Sequence, residues 1–438
     1  MKKLWLSIIL VIVSIALIGC KQQLMSNGSE KNNQLEIWVF AEPHKRFYEV
    51  VKKEFHKTHP EVHVQIKLME FQSLTDKYIV AMRSNGQGAP DLIDIEQGNF
   101  PNFIRGKVPF EPLNDYLKRD GLEHVMSEGR QALYTVDGVQ YGIEHAATVS
   151  ALYYRKDIYD QAGIDVSSLK TWDQFTEASK KLIGKDKFIF PGTVPGEELS
   201  QFELLLRQEG GDIVTPEGKI GMNTNEGLIA LKRIQQWEEA GIMDKSSPSG
   251  PAFWDTFNKG RYLAAYGADW WANLLVDNTP KLSGKWAAVP MPIGGPKSVP
   301  TTVQGGTGLM ISKYSNKKEL AWEFLKLAQL HPDMSVKRYQ VVNLFPALLT
   351  AMDKPGLHEQ STYTEYFGGQ DLGDVYGSLV EKAPRQNQAW WRPLAAQAWQ
   401  KFYFDYDKGK YTPEQFLAHV EKELTKLIES EKARAGIE

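Results

Sequence analysis

An alternation between two periodicities, beginning at Leu35, constrains the fold more than any other feature of the chain. Leu35-Glu36-Ile37-Trp38-Val39-Phe40 reads as a strand, and Phe47, Val50, Val51 and Phe55 then recur at helical spacing. Val62, Val64, Ile66 and Leu68 alternate with His63, Gln65 and Lys67, the pattern of a strand with one wet face. Leu74, Tyr78, Ile79 and Met82 mark a second helix, and Asp91 to Ile95, entered after Pro90, is a short buried strand. Strand, helix, strand, helix, strand predicts an α/β fold, a largely parallel sheet with helices packed on it. Roughly 400 residues exceed what one hydrophobic core usually serves, so two domains are expected.

Local marks punctuate the rest. Val136-Asp137-Gly138-Val139 signals a hairpin, because Asp-Gly tolerates the positive φ of a tight turn. Thr171 with Gln174 opens a helix through a capping box, carried by Phe175, Ala178 and Leu182 and ending near Gly184. Thr412-Pro413-Glu414-Gln415 repeats the device ahead of a terminal helix using Phe416, Val420, Leu424 and Leu427.

The N-terminus reads as an export signal. Lys2 and Lys3 precede an apolar run, Leu4 to Ile18, broken only by Ser7 and Ser14. That run is short for a membrane span, which needs ~20 apolar residues, and suits a signal peptide. It ends at Cys20, the only cysteine of 438 residues. Leu17-Ile18-Gly19-Cys20 resembles the lipobox of bacterial lipoproteins, which implies cleavage before Cys20, acyl chains on it and a place outside the cytoplasm at the membrane. Residues 1–19 are then the signal and 20–34 a lipidated tether, rich in Gln, Asn, Ser and Lys. Loss of Lys2 and Lys3 takes the net charge from −3 to −5. Mild acidity without a Lys/Arg run argues against a nucleic-acid partner, and with no other cysteine the body must be held by its core.

The usual catalytic signatures are missing. There is no G-x-x-x-x-G-K-[ST] loop, no dinucleotide spacing at Gly305-Gly306-Thr307-Gly308, no G-x-S-x-G elbow and no H-E-x-x-H helix. His56, His59 and His63 cluster in sequence, but they fall at a helix end and on the wet side of a strand, so no metal is expected there. A glycosidase needs only two carboxylates at the right separation, which spacing along the chain leaves open.

Tryptophan is the unusual component: twelve in all, paired as Trp270-Trp271 and as Trp390-Trp391. Tyr262 to Tyr266 reads as a strand that Gly267-Ala268-Asp269 breaks, so the first pair emerges at a strand end, where open α/β sheets bind ligands. The second pair sits amid Arg385, Gln386, Asn387, Gln388 and Arg392. Indole beside amide, carboxylate and guanidinium suits a sugar, whose C–H face packs on the ring while its hydroxyls take hydrogen bonds. The alternative is core packing, since adjacent residues point different ways.

Over its whole mature length the chain resembles the extracellular solute-binding proteins of bacterial ABC sugar importers, the maltose-binding-protein type, and most of all the branch handling arabino-oligosaccharides. The resemblance rests on the lipobox and on LEIWVFAEPHKRFYEVVKKEFHKTHP, APDLIDIEQGNF, VDGVQYGIEHAATVSALYYRKDIYDQAGI, TWDQFTEASKKL, FNKGRYLAAYGADWW and GGTGLMISKYSNKKELAWEFLKL, in that order. It implies two α/β lobes around a hinge and an interlobe cleft, as in periplasmic binding proteins: 35–144 with 305–372, and 145–304 with 373–438. It places chain crossings near Gly142 to Ala147, Thr302 to Gly306 and Gly369 to Gln388, with Gly142, Gly305 and Gly306 as hinge glycines. The family often has Gly-aliphatic-Pro at the first crossing where this chain has Gly142-Ile143-Glu144, which adds a carboxylate. By the same resemblance the cleft is lined by Ala41, Glu42, Glu96, Gln97, Glu144, His145, Asp269, Trp270, Trp271, Gly306, Trp390, Trp391 and Arg392. The implied function is capture of a carbohydrate, an oligosaccharide, outside the cell and its delivery to permease subunits served by a separate ATPase. The implied protein is a monomer, has no cofactor or metal, and breaks no bond. The rival readings are a surface glycoside hydrolase and a glycan-binding sensor or adhesion lipoprotein. Peptide or phosphate binding is disfavoured, because the candidate site does not concentrate cations.

Overall fold

The computed structural model describes residues 33–435 apart from 185, 193–197 and 246. The export signal, Cys20 and the tether up to residue 32 lie outside the described residues. Ten strands are present among them: β1 (Gln34–Val39), β2 (His63–Leu68), β3 (Leu92–Glu96), β4 (Thr135–Val136), β5 (Val139–Gln140), β6 (Gly142–Glu144), β7 (Ser150–Arg155), β8 (Ala264–Ala268), β9 (Trp286–Pro290) and β10 (Thr307–Ile311).

The first sheet has the order β2-β1-β3-β10-β6. β1 pairs in parallel with β2 and β3, as the sequence alternation predicts, while β10 inserts antiparallel between β3 and β6. Both faces are covered, so neighbouring residues enter different cores. Leu35, Ile37, Val39, Leu92, Leu309 and Ile311 pack with Phe47, Tyr48 and Val51 of the helix Glu42–Phe55. Trp38, Ile93, Ile95 and Met310 pack with Leu74 and Tyr78 of the helix Phe71–Arg83. Asp94 shares the face of Leu92 by the strand's period of two, and this places an ionised side chain against the Glu42–Phe55 helix. The hairpin β4–β5 turns at Asp137 (φ 51°) and Gly138 (φ 79°), the positive angles its sequence calls for.

The second sheet, β8-β7-β9, is antiparallel instead of parallel. β8, the helix Trp270–Asn278 and β9 form a parallel crossover unit, and β7, arriving from the first sheet, inserts between its strands in the opposite direction. β8 runs two residues later than expected, through Gly267 and Ala268, and the break falls at Asp269. Leu152 and Tyr154 of β7 enter a core with Trp172, Phe190 and Trp237. The capping boxes hold: Thr171 and Gln174 bond reciprocally, and so do Thr412 and Gln415.

Two segments run side by side between the sheets. His145–Val149 leads from β6 to β7, and Thr301–Gly306 leads back into β10. They are stitched by Ser150 N to Thr302 O (2.9 Å), His145 N to Thr307 O (2.9 Å) and the bridge Val149–Val303. A third passage comes earlier than Gly369. Gly356 still bonds Gln340 and Tyr363 donates both to Val341 O (3.3 Å) and to Asn273 Oδ1 (2.8 Å), whereas Tyr366 donates to Thr279 O (3.0 Å), so the chain has changed sheets by Tyr366. From there Gln386 and Gln388 reach back to Gln97.

Candidate functional site

A cavity of about 320 Å³ lies where the carboxyl ends of β1, β3 and β6 face the start of the Trp270–Asn278 helix. Phe40, Ala41, Pro43 and His44 enter it from the end of β1 and the first turn of the next helix. Glu96 comes from the end of β3, Glu144, His145, Ala146 and Thr148 from the first crossing, and Gly305, Gly306 and Thr307 from the second. Trp270, Asn273 and Leu274 form the opposite wall, with Val342 and Leu344 closing one side.

Six of the thirteen residues expected in a cleft meet here: Ala41, Glu96, Glu144, His145, Trp270 and Gly306. The other seven lie elsewhere, each for a visible reason. Glu42 is exposed on the first helical turn, where an acid suits the positive end of the helix dipole. Gln97 is buried and turned toward Gln386 and Gln388. Asp269 caps the helix from beneath: Oδ1 accepts Trp270 N (2.9 Å) and Oδ2 accepts Phe345 N (2.7 Å), so it holds the Val342–Leu344 wall in place. Its burial pushes the carboxyl up to about 7. Trp271 turns away to Trp254 and Phe257 and lies across Gly267, where a Cβ would meet its Cδ1 at 2.2 Å. It lines a separate recess of about 130 Å³ with Phe253, Tyr266 and Gln304. Trp390 carries the Arg105 guanidinium 4.8 Å above its ring, and Trp391 is in the second core with Nε1 donating to Gly218 O (3.1 Å). Arg392 pairs with Glu203.

Trp270 is held as a fixed wall, its Nε1 donating to Gln304 O at 3.1 Å. Across the cavity, burial pushes Glu96 up to about 7 against the pull of Arg392, and Glu96 Oε2 accepts Gly98 N at 2.6 Å. The carboxylate that replaces the expected proline, Glu144, clamps the hinge. Its Oε1 accepts His145 N and Thr307 N (both 2.9 Å), one from each crossing, and Oε2 accepts Arg130 Nη2 (2.8 Å). Arg130 Nη2 also reaches Gly305 O (3.1 Å). Gly306, at φ +139°, leaves room for this pair: a Cβ there would meet Arg130 Nη2 at 2.2 Å.

Beside the clamp, Asp94 gathers three partners. Oδ2 lies 2.9 Å from His44 Nδ1, and Oδ1 lies 3.1 Å from His145 Nε2 and 2.8 Å from the Tyr48 hydroxyl. His44, Asp94 and His145 together are a donor set able to hold a metal ion, and here the Asp94 carboxylate is the common hydrogen-bond partner of both rings and of Tyr48. Sequence reasoning missed His44, Tyr48 and Asp94. The available signals were an acid inside a buried strand, which requires partners, and His44 four residues before Tyr48 on the buried stripe of one helix.

Residues 40–333 match the model of the bacterial extracellular solute-binding protein family, which is more than half of the chain. The chain belongs to this family. This solute-binding protein is 25% identical to an arabinooligosaccharide-binding protein of Halalkalibacterium halodurans, over 92% of this chain and 91% of that one. It is 26% identical to an arabinooligosaccharide-binding protein of Bacillus subtilis over 85% and 86% of the two chains. Among solved structures, the sugar-binding protein MalE of Xanthomonas citri superposes with a TM-score of 0.75 at 19% identity, covering 92% of this chain and all of that one. An ABC-transporter-associated binding protein of B. animalis subsp. lactis, in complex with β-1,6-galactobiose, superposes at 0.72 with 22% identity, over 92% and 98%. These neighbours are two-lobed binding proteins, so the two sheets and the crossings between them are the lobes and hinge of a solute-binding fold.

Proposed function

We propose that this solute-binding protein captures a carbohydrate, an oligosaccharide of a few units, outside the cell and hands it to an ABC permease by closing its two lobes. The observation that carries the reading is the Trp270 indole, fixed by Gln304 and facing Glu96, His44 and His145 across one cavity. A ring for the sugar's C–H face opposite acceptors for its hydroxyls is the composition of a small-molecule site for polyols. The names of two relatives, both arabinooligosaccharide-binding proteins, point to the same ligand class. The lobes are 35–144 with the strand and helices after residue 305, and 145–304 with the chain from about Tyr366 onward. Ligand contacts to both favour the closed state, and the permease reads that shape. The protein acts as a monomer and leaves the sugar uncut; Glu144, the carboxylate deepest in the hinge, is engaged by Arg130 and backbone amides and is not placed as an acid or base. Acyl chains on Cys20 tether it to the membrane.

The test is isothermal titration of the chain from Lys21 onward against arabinan, galactan, xylan and maltodextrin fragments, with chromatography of the recovered sugar. One-to-one binding of one glycan family with the sugar intact is expected. No heat with any of them, or cleaved product, refutes the proposal. For the anchor, Cys20→Ser releases the protein from membranes; a membrane fraction unchanged by that exchange refutes it.

A further inference from the structure

Asp94 is a buried carboxylate with no Lys or Arg paired to it among the described residues. Its ion-pair partners are two histidines: His44 Nδ1 lies 2.9 Å from Oδ2 and His145 Nε2 lies 3.1 Å from Oδ1. All three side chains are buried, and a carboxylate taken out of water is either paired or bound to a metal. Tyr48, buried as well, adds a fourth donor, its oxygen 2.8 Å from Asp94 Oδ1 and 2.9 Å from His145 Nε2. The four come from three places in the chain. His44 and Tyr48 stand one turn apart on the Glu42–Phe55 helix, Asp94 is in the middle of β3, and His145 opens the first crossing.

The spacing suits a small cation. Zinc bonds of ~2.0–2.2 Å put neighbouring ligand atoms ~2.8–3.6 Å apart at octahedral to tetrahedral angles, and the contacts above run from 2.8 to 3.1 Å. One ligand atom from each of His44, Asp94 and His145 lies within 4.8 Å of the other two. Two imidazoles with a carboxylate and a phenol suit a first-row transition ion, whereas calcium and magnesium take sets of oxygens. The set is braced from behind: Gln329 donates to the Tyr48 oxygen at 3.1 Å, and Arg338 holds the Gln329 oxygen. Outer contacts of this kind fix the orientation of ligands. The route in is the cavity, which His44 and His145 both line. We infer that His44, Asp94 and His145, with Tyr48, form a site for a divalent first-row transition ion of the zinc type. The ion ties the Glu42–Phe55 helix, β3 and the first crossing together and stabilises the first lobe. The family resemblance implies no metal, and the inference is independent of the carbohydrate reading, so a failed sugar titration leaves it standing.

The chain from Lys21 onward, without an affinity tag, contains no cysteine to compete for zinc. It does carry a surface group, His358 with Asp371 and Asp374, that could take the ion. The test therefore uses His358→Ala protein stripped of metal with EDTA. Zinc titration is expected to show one-to-one binding and a Tm raised by about 5–10 °C at a free zinc concentration a hundredfold above Kd. Long-range proton–nitrogen spectra of this protein labelled with ¹⁵N-histidine are expected to show zinc moving the His44 Nδ1 and His145 Nε2 signals. His44→Ala and His145→Ala in the same background are each expected to weaken binding by at least about tenfold. Absence of binding overturns the site and leaves a hydrogen-bonded cluster only. Binding that leaves the His44 and His145 signals unmoved, or that is unchanged in a folded single variant, also overturns it and marks an adventitious ion only. Where a variant fails to fold, the spectra of the His358→Ala protein decide.

Discussion

Exchanging Arg130 for Met tests the hinge clamp most directly. Among the described residues Arg130 is the only cation hydrogen-bonded to Glu144, and both side chains are buried, so the exchange leaves a carboxylate supported by backbone amides alone. Breaking a buried pair from one side costs about 3–5 kcal/mol, because the remaining charge keeps its desolvation penalty. On a lobe of ordinary size this is a fall of roughly 6–20 °C in Tm. Glu144→Gln alone keeps an oxygen for the amides but leaves Arg130 with only Gly305 O, and it is destabilising too. The double variant removes both charges and is expected to cost less than the sum of the singles by about 1–3 kcal/mol. Burial already raises the Glu144 carboxyl, and without Arg130 it rises further. The folded variant then takes up a proton more readily than the unfolded chain, so its deficit shrinks as pH falls through the raised value and is largest at neutral pH. Urea unfolding followed by tryptophan fluorescence, at pH 7.5 and 5.5, measures all three variants. Additive singles, or a deficit indifferent to pH, would refute the clamp as drawn.

Trp270→Ala is expected to weaken ligand binding by about 1–3 kcal/mol, whereas Trp390→Ala, under Arg105 and outside the cavity, stays within about threefold; titration calorimetry with the same sugar separates them. Gly306→Ala forces a side chain into positive φ and against Arg130, and should cost at least about 1–3 kcal/mol by urea midpoint. Asp269, pushed up to about 7, binds its proton more tightly folded than unfolded, so wild type loses stability relative to Asp269→Asn as pH rises from about 4 to 7. The full loss approaches ~4 kcal/mol, and parallel pH profiles for the two proteins would contradict it.

The elements were legible where one periodicity governs several residues. β1, β3 and the Glu42–Phe55 helix stand where their apolar spacing puts them, because each buries a face that repeats along the chain. The direction of the second sheet was not legible. β7 reads as the same kind of apolar run whichever way its neighbours point, and its antiparallel pairing comes from its entry out of the first sheet. The site divides the same way. Ala41, Glu96, Glu144, His145, Trp270 and Gly306 lie at the ends of strands or in the crossings, positions that topology assigns to a cleft.

Which member of a Trp-Trp pair faces a ligand is a different kind of fact. Trp270 and Trp271 stack with centroids 5.8 Å apart, yet only Trp270 reaches the cavity, because Gly267 leaves a floor over which Trp271 can lie. The deciding residue is four positions upstream, in a strand whose pattern says nothing of it. The Asp94 network makes the converse point. An acid among Leu92, Ile93 and Ile95 breaks the rule that buried strands are apolar, and it needs donors from elsewhere in the chain. Those donors come from a helix fifty residues earlier and from the first crossing, where His145 also lines the cavity. A residue that violates its local pattern is therefore where distant segments are tied together: Asp94 joins the Glu42–Phe55 helix to the first crossing through His44, Tyr48 and His145, two of which line the cavity.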